Sequence, residues 1–226
     1  MVRIFFFVVP NLNYQKQDLN IPVSENRLII GQLSHMITNS IFLSHSLRKD
    51  IIIRIFVQKP IPHVYQIKSQ SIRFLGPELR SFASLILKTE NIIAAKSLIN
   101  ENEQINWHEL NPGLFMSFCN NLFVDIDKEV INPISIICFD RINKTEKKKN
   151  KSMVEIFTNM EEILNELCYD VNSLLLIFKI DNSNDLLIPD SLKKMVKKNV
   201  NLKISVKISL PNILAIINII LDKINF

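Results

Sequence analysis

The chain has 226 residues, 47% of them hydrophobic and 22% charged, with a formal net charge of +5. That apolar fraction excludes a disordered chain and suffices for one large buried core or two small ones. The basic balance leans toward acidic partners such as RNA without requiring one.

Residues 3–9 are an apolar, β-like run, stopped by Pro10 and an Asn-rich loop. The run is too short for a signal-peptide core followed by a cleavage site. Ser24 offers an N-cap oxygen and Glu25 an acid for the first turn of a helix. Ile29, Leu33, Met36, Ile37 and Ile41 recur at helical spacing, which predicts an amphipathic helix over 25–45. IIIRIFV (51–57) is a near-continuous β-branched run, suited to a parallel strand covered on both faces. Residues 64–74 are β-prone. Gly76-Pro77 starts a second predicted helix, about 77–99. A polar loop carries Trp107 and ends at Asn111-Pro112-Gly113.

In the second half, ISIICF (134–139) and SLLLIFKI (173–180) read as strands, and 153–167 as a helix. The basic stretch 141–151 reads as an exposed loop, with a phosphate-contacting arm as the alternative. Residues 189–199 read as a basic helix, KISL (207–210) as a strand and 212–223 as an apolar helix. Alternating strands and helices predict an α/β fold with a mostly parallel sheet. No long linker divides the chain, so 1–226 reads as a single domain with halves 1–115 and 116–226. No segment is apolar enough to cross a membrane, so no membrane partner is expected.

Several chemistries are disfavoured at once. Three Gly in the whole chain leave no GxGxxG and no Walker A loop. Cys119, Cys138 and Cys168 form no CxxC pair, so neither a disulfide framework nor a metal site is expected, and the chain reads as cytoplasmic. Ser44-His45 suggests a nucleophile and its base. On a helix, however, adjacent side chains diverge by about 100°, so a helix C-terminus is the better reading.

The order of the pieces carries more. Residues 27–51, RLIIGQLSHMITNSIFLSHSLRKDI, resemble a long motif of the archaeal tRNA pseudouridine N(1)-methyltransferases, members of the SPOUT superfamily. Leu19-Asn20-Ile21-Pro22 resembles the family's segment before its first helix. Phe74-Leu75-Gly76 and Pro77-Glu78-Leu79-Arg80-Ser81 resemble its turn and second-helix start. Trp107 and Pro112-Gly113-Leu114-Phe115 are similar to its W…PG block. Near the end, Ile208-Ser209-Leu210-Pro211 and Ile216 through Asp222 resemble its closing loop and helix.

This resemblance implies a SPOUT-type sheet flanked by helices, with a trefoil knot in residues 116–226. It implies S-adenosylmethionine (SAM) as methyl donor, tRNA as partner and a homodimer. The reaction would be transfer to N(1) of a pseudouridine in the T loop (position 54) of tRNA. Carried over by position, the cofactor contacts would be Cys138, Phe178, Ser209, Leu210, Pro211, Asn212 and Ile213. Arg27, Arg48 and Arg80 would form an RNA phosphate track, with Asp50 and Glu78 orienting them. No catalytic residue is assigned. The apolar last helix, with Ile213, Ile216, Ile217 and Ile220, is compatible with burial against a second subunit. Two departures stand out. Phe178 occupies the place of a family glycine, so its ring is expected to project toward the cofactor pocket. The family segment after the proline loop is largely missing beyond Asn212-Ile213. These departures motivate the alternative: a degenerate SPOUT-fold homodimer that binds RNA without SAM-dependent catalysis.

Overall fold

In the computed structural model the described residues are 1–12, 14–19, 25–89, 106–131, 133–142, 153–168, 171–179, 194–205 and 209–224. They form one eight-stranded sheet, with strands β1 (Val2–Val9), β2 (Ile51–Val57), β3 (His63–Lys68), β4 (His108–Asn111), β5 (Leu114–Phe118), β6 (Ile134–Ile142), β7 (Ser173–Lys179) and β8 (Val196–Ser205). The helices are α1 (Glu25–Ile41), α2 (Leu79–Leu87), α3 (Met153–Cys168) and α4 (Leu210–Ile224).

The spatial order is β4-β5-β3-β2-β1-β7-β6-β8. From β2 to β8 every neighbouring pair is parallel. The other side of β2 continues as antiparallel pairs through β3, β5 and β4. The parallel expectation therefore holds for five strands, and an antiparallel edge extends it. β1, from the first half of the chain, pairs with β7 from the second, so both halves share one sheet.

The central strands are near-continuously apolar because both of their faces are buried. Phe5, Phe7 and Val9 of β1 face a core built with residues of all four helices, including Leu33, Phe82, Leu164 and Ile217. Ile4, Phe6 and Val8 face a smaller core, where Leu122, Phe123 and Ile126 of an irregular segment cover the sheet. All four described helices thus lie against one face.

Several expected boundaries move. α1 ends at Ile41 rather than near 45, because Phe42 and Leu47 form an antiparallel bridge that turns the chain. Ser44 and His45 sit exposed in that turn, not on a helix. Residues 196–199, expected in a helix, belong to β8; their hydrogen bonds to β6 outweigh a weak local helix preference. Leu210, expected in a strand, opens α4. β4 and β5 were not anticipated; they form a hairpin about Pro112-Gly113, and Gly113 has φ +79°. A Cβ there would lie 2.4 Å from the Ile72 backbone nitrogen, so only glycine fits. Ser24, the predicted cap, and 143–151 of the basic loop fall outside the described residues.

Candidate functional site

The residues assigned to the cofactor are spread over β6, β7 and the start of α4. Cys138 is mid-strand in β6, opposite Ile177 of β7 and Asn201 of β8, and is half-buried. One position on, Phe139 pairs with Phe178. Their rings stack at 4.4 Å with 4° between planes, and Phe7 meets Phe178 edge-on at 5.9 Å. Phe178 is fully buried in the helix-side core. The expectation that its ring projects toward a cofactor pocket is corrected: aromatic packing against Phe5, Phe7 and Phe139 holds it inside.

Ser209 caps α4. Its carbonyl accepts from the Asn212 and Ile213 amides at 3.1 and 3.2 Å, and its hydroxyl accepts from the Asn212 amide at 3.4 Å. Ser209 and Asn212 are exposed and Pro211 is half-exposed, whereas Leu210 and Ile213 are buried in the core. Of the seven positions, Ser209 and Asn212 therefore offer accessible polar side chains. Leu210, Ile213 and Phe178 belong to the helix-side core.

The three arginines lie on separate elements: Arg27 in α1, Arg48 in the turn after it and Arg80 in α2. Arg27 lies in the first turn of α1 and Arg48 beyond its other end, and the 17 residues of α1 span about 25 Å. Arg27 donates to the Asp18 carbonyl at 3.5 Å and is half-buried. Arg80 is exposed at the start of α2. Arg48 is committed elsewhere: its Nη2 lies 2.7 Å from Asp222 Oδ2, and its Nη1 donates to the carbonyls of Asn39, Ser40 and Phe42 at 3.2–3.3 Å. These are carbonyls at or just past the end of α1, which a cation satisfies well. Arg48 as a phosphate ligand is thus corrected to a helix-capping, interior-facing arginine. Asp50 does not orient Arg48 either; it lies 3.1 Å from Arg3 Nε, off the line of a hydrogen bond.

Around Asp222 a clasp of five side chains results, from Arg3, Asn39, Arg48, Asn218 and Asp222. Arg3 of β1, buried, reaches Asp222 Oδ1 at 2.7 Å and Asn218 Oδ1 at 3.4 Å. Asn218 in turn donates to the Asn39 carbonyl at 3.0 Å, and Asn39 donates to the Pro211 carbonyl at 2.9 Å. Burial alone would raise the Asp222 pKa, but hydrogen bonds from Arg48 and Arg3 carry it below the ordinary carboxylate value. The clasp joins both ends of α4 to α1 and to the head of β1. Residues at opposite ends of the sequence thereby fix the α4 N-terminus on which Ser209 and Asn212 sit.

A second buried cation escaped the sequence reading. Arg54 of β2 donates Nε to Gln66 Oε1 at 2.7 Å and Nη1 to the Leu122 and Val124 carbonyls, and its guanidinium lies 5.4 Å over the Trp107 ring. Burial lowers its pKa to about 10, with Glu129 opposing. The signal was visible: a lone charge inside IIIRIFV is either an edge residue or a buried, fully partnered one.

Phe74 was also missed. Its φ is +61° and its side chain is 79% exposed. Among the described residues no three of His, Cys, Asp and Glu are grouped to hold a metal, and no helix is long and apolar enough to cross a membrane.

No family model and no curated protein matches the chain. A solved structure, that of Archaeoglobus fulgidus Nep1 bound to S-adenosylhomocysteine, is similar to it. The TM-score is 0.48 and the identity 11%, over 100% of this chain and 99% of that one.

Proposed function

We propose that this chain is a SAM-dependent RNA methyltransferase of the SPOUT type, acting on N(1) of a pseudouridine in the T loop of tRNA. The reading includes a cytoplasmic homodimer and a knotted C-terminal half. One observation carries it furthest. The motif at 27–51 and the closing motif at 216–222, each read from the sequence as resembling that family, meet in one network through Arg48, Asn39, Asn218 and Asp222. Two separate resemblances thereby become parts of one physical unit.

SAM, when bound, supplies a methyl group on a sulfonium. Ser209 and Asn212 are the accessible polar side chains that would hold it, at the end of α4 that the clasp fixes. Methyl transfer between aligned partners draws mainly on positioning, so a site without a covalent nucleophile suffices. The N(1) proton must leave as the methyl arrives. Asp50 and Asp222 are held by arginines, and the lowered Asp222 pKa makes it a weak base, so neither serves as acceptor. In this reading methylation makes the ring cationic, so its N(1) proton becomes strongly acidic and passes to water at the RNA–protein boundary.

The apolar stripe of α4 is largely taken up within the chain itself. Ile213, Ile217 and Ile220 are consumed by the chain's own core, Ile216 packs beside them and Ile219 is exposed.

The test is calorimetric titration with SAM, followed by transfer of labelled methyl to T-arm RNA carrying pseudouridine or uridine. Binding with transfer to the pseudouridine RNA alone is expected. Absence of SAM binding with RNA binding retained would replace this reading by that of a fold that keeps RNA and has lost the cofactor.

A further inference from the structure

Phe74 is the most exposed of the large apolar side chains among the described residues, at 79% against 62% for Leu28. Its backbone is left-handed, a conformation that L residues with large side chains rarely adopt. Folding gains little in return, because the ring is exposed and makes no ring contact among the described residues. The turn is nevertheless clamped. The Ser81 hydroxyl accepts from the Gly76 amide at 2.7 Å and donates to the Phe74 carbonyl at 3.4 Å. The Arg73 amide donates to the Pro112 carbonyl at 3.1 Å, over the Gly113 turn. Thr38 of α1 donates to the Pro77 carbonyl at 3.1 Å. A strained, solvent-facing ring on a braced turn is what a preformed contact surface requires.

The charges beside it select the partner. Arg73 immediately precedes Phe74 in the chain and Arg80 lies in the first turn of α2, both exposed, and neither pairs with a carboxylate among the described residues. Glu78 is the one acid of the turn. Arg80, Ser84 and Lys88 then follow at i, i+4 and i+8, all exposed, giving a cationic strip along α2. An exposed aromatic ring on a turn that also carries two exposed arginines matches an unpaired base with its flanking phosphates.

We infer that Phe74 is a stacking platform for an unstacked base of the RNA substrate, with Arg73 and Arg80 on the adjoining phosphates. This rests on the RNA methyltransferase reading and specifies how that substrate is held. The assay is anisotropy of a fluorescein-labelled T-arm hairpin at several salt concentrations. Phe74→Ala and Phe74→Gly should each weaken binding about ten-fold with the salt slope unchanged. The glycine variant relaxes the backbone, so its loss cannot be ascribed to unfolding. Phe74→Trp should retain affinity and show indole quenching on titration, while Phe74→Leu should bind as weakly as the alanine variant. Arg73→Gln and Arg80→Gln should each flatten the log–log salt slope by about 0.7. Wild-type affinity in the alanine and glycine variants would overturn the platform and leave the RNA reading standing. Full rescue by leucine would overturn it in favour of an apolar protein or membrane contact. A wild-type chain that binds no hairpin would overturn both.

Discussion

Neutralising Asp222 is the sharpest perturbation of the clasp. Its carboxylate holds two guanidiniums at 2.7 Å, whose side chains are 4% and 9% exposed, while its own side chain is 26% exposed. Removing one partner of a buried pair costs about 3–5 kcal/mol, chiefly because the remaining charge is stranded. Two features soften this. Asp222 is partly solvated, and Arg3 keeps Asp50 at 3.1 Å while Arg48 keeps three carbonyls. Asp222→Ala should therefore lose about 3 kcal/mol, and Asp222→Asn, which retains an acceptor oxygen, about 2. Asp50→Asn, whose side chain is more exposed and whose single ion pair is poorly aligned, should lose less than about 1. Urea unfolding followed by circular dichroism reads all three, with the slope checked for constancy. An Asp222→Ala midpoint equal to wild type, with the same slope, would refute the view that the clasp holds α4.

Acid should act on the same group. The folded pKa of Asp222 is depressed, so its contribution to stability is complete above the unfolded value near about 4 and is lost as pH falls through the lower folded value. The acid-unfolding midpoint should accordingly shift less in Asp222→Asn than in a surface Asp variant carrying the same mean destabilisation. Phe178→Ala should lose about 4 kcal/mol by opening a cavity beside Phe139 and Phe7, whether or not SAM is present, as differential scanning calorimetry would show. Arg54→Ala should lose about 3 kcal/mol by unsatisfying Gln66 and two carbonyls, and should alter Trp107 emission, because the guanidinium lies over that ring. Unchanged Trp107 emission in that variant would contradict the packing described.

Local pattern made much of this chain legible. IFFFVV and IIIRIFV are apolar on both faces, which only strands covered on both sides allow, and they became β1 and β2. The helical spacing of Leu33, Met36, Ile37 and Ile41 placed α1 to within a few residues. Its end was misplaced because the bridge from Phe42 to Leu47 is a contact after the chain turns, not a local propensity. For β8, a lysine-rich stretch with no strong period was settled by hydrogen bonding to β6.

The site was legible in a different way. The family resemblance selected Arg48, Asn218 and Asp222 as members of meaningful stretches, but gave Arg48 the wrong employment. Charge on a sequence looks like surface. Only the approach of α4 to the end of α1 shows that Arg48 is turned inward to a carboxylate 174 positions away. The same reasoning misjudged Phe178, since a ring replacing a glycine can point either way and three other phenylalanines decide which. It passed over Phe74, whose backbone conformation no composition reveals. The sequence by itself determined the central strands β1, β2, β6 and β7 and the body of α1, because hydrophobic period is encoded residue by residue. The tertiary structure alone decided which charges are buried and which ring is left in solvent, because those depend on neighbours brought together from distant parts of the chain.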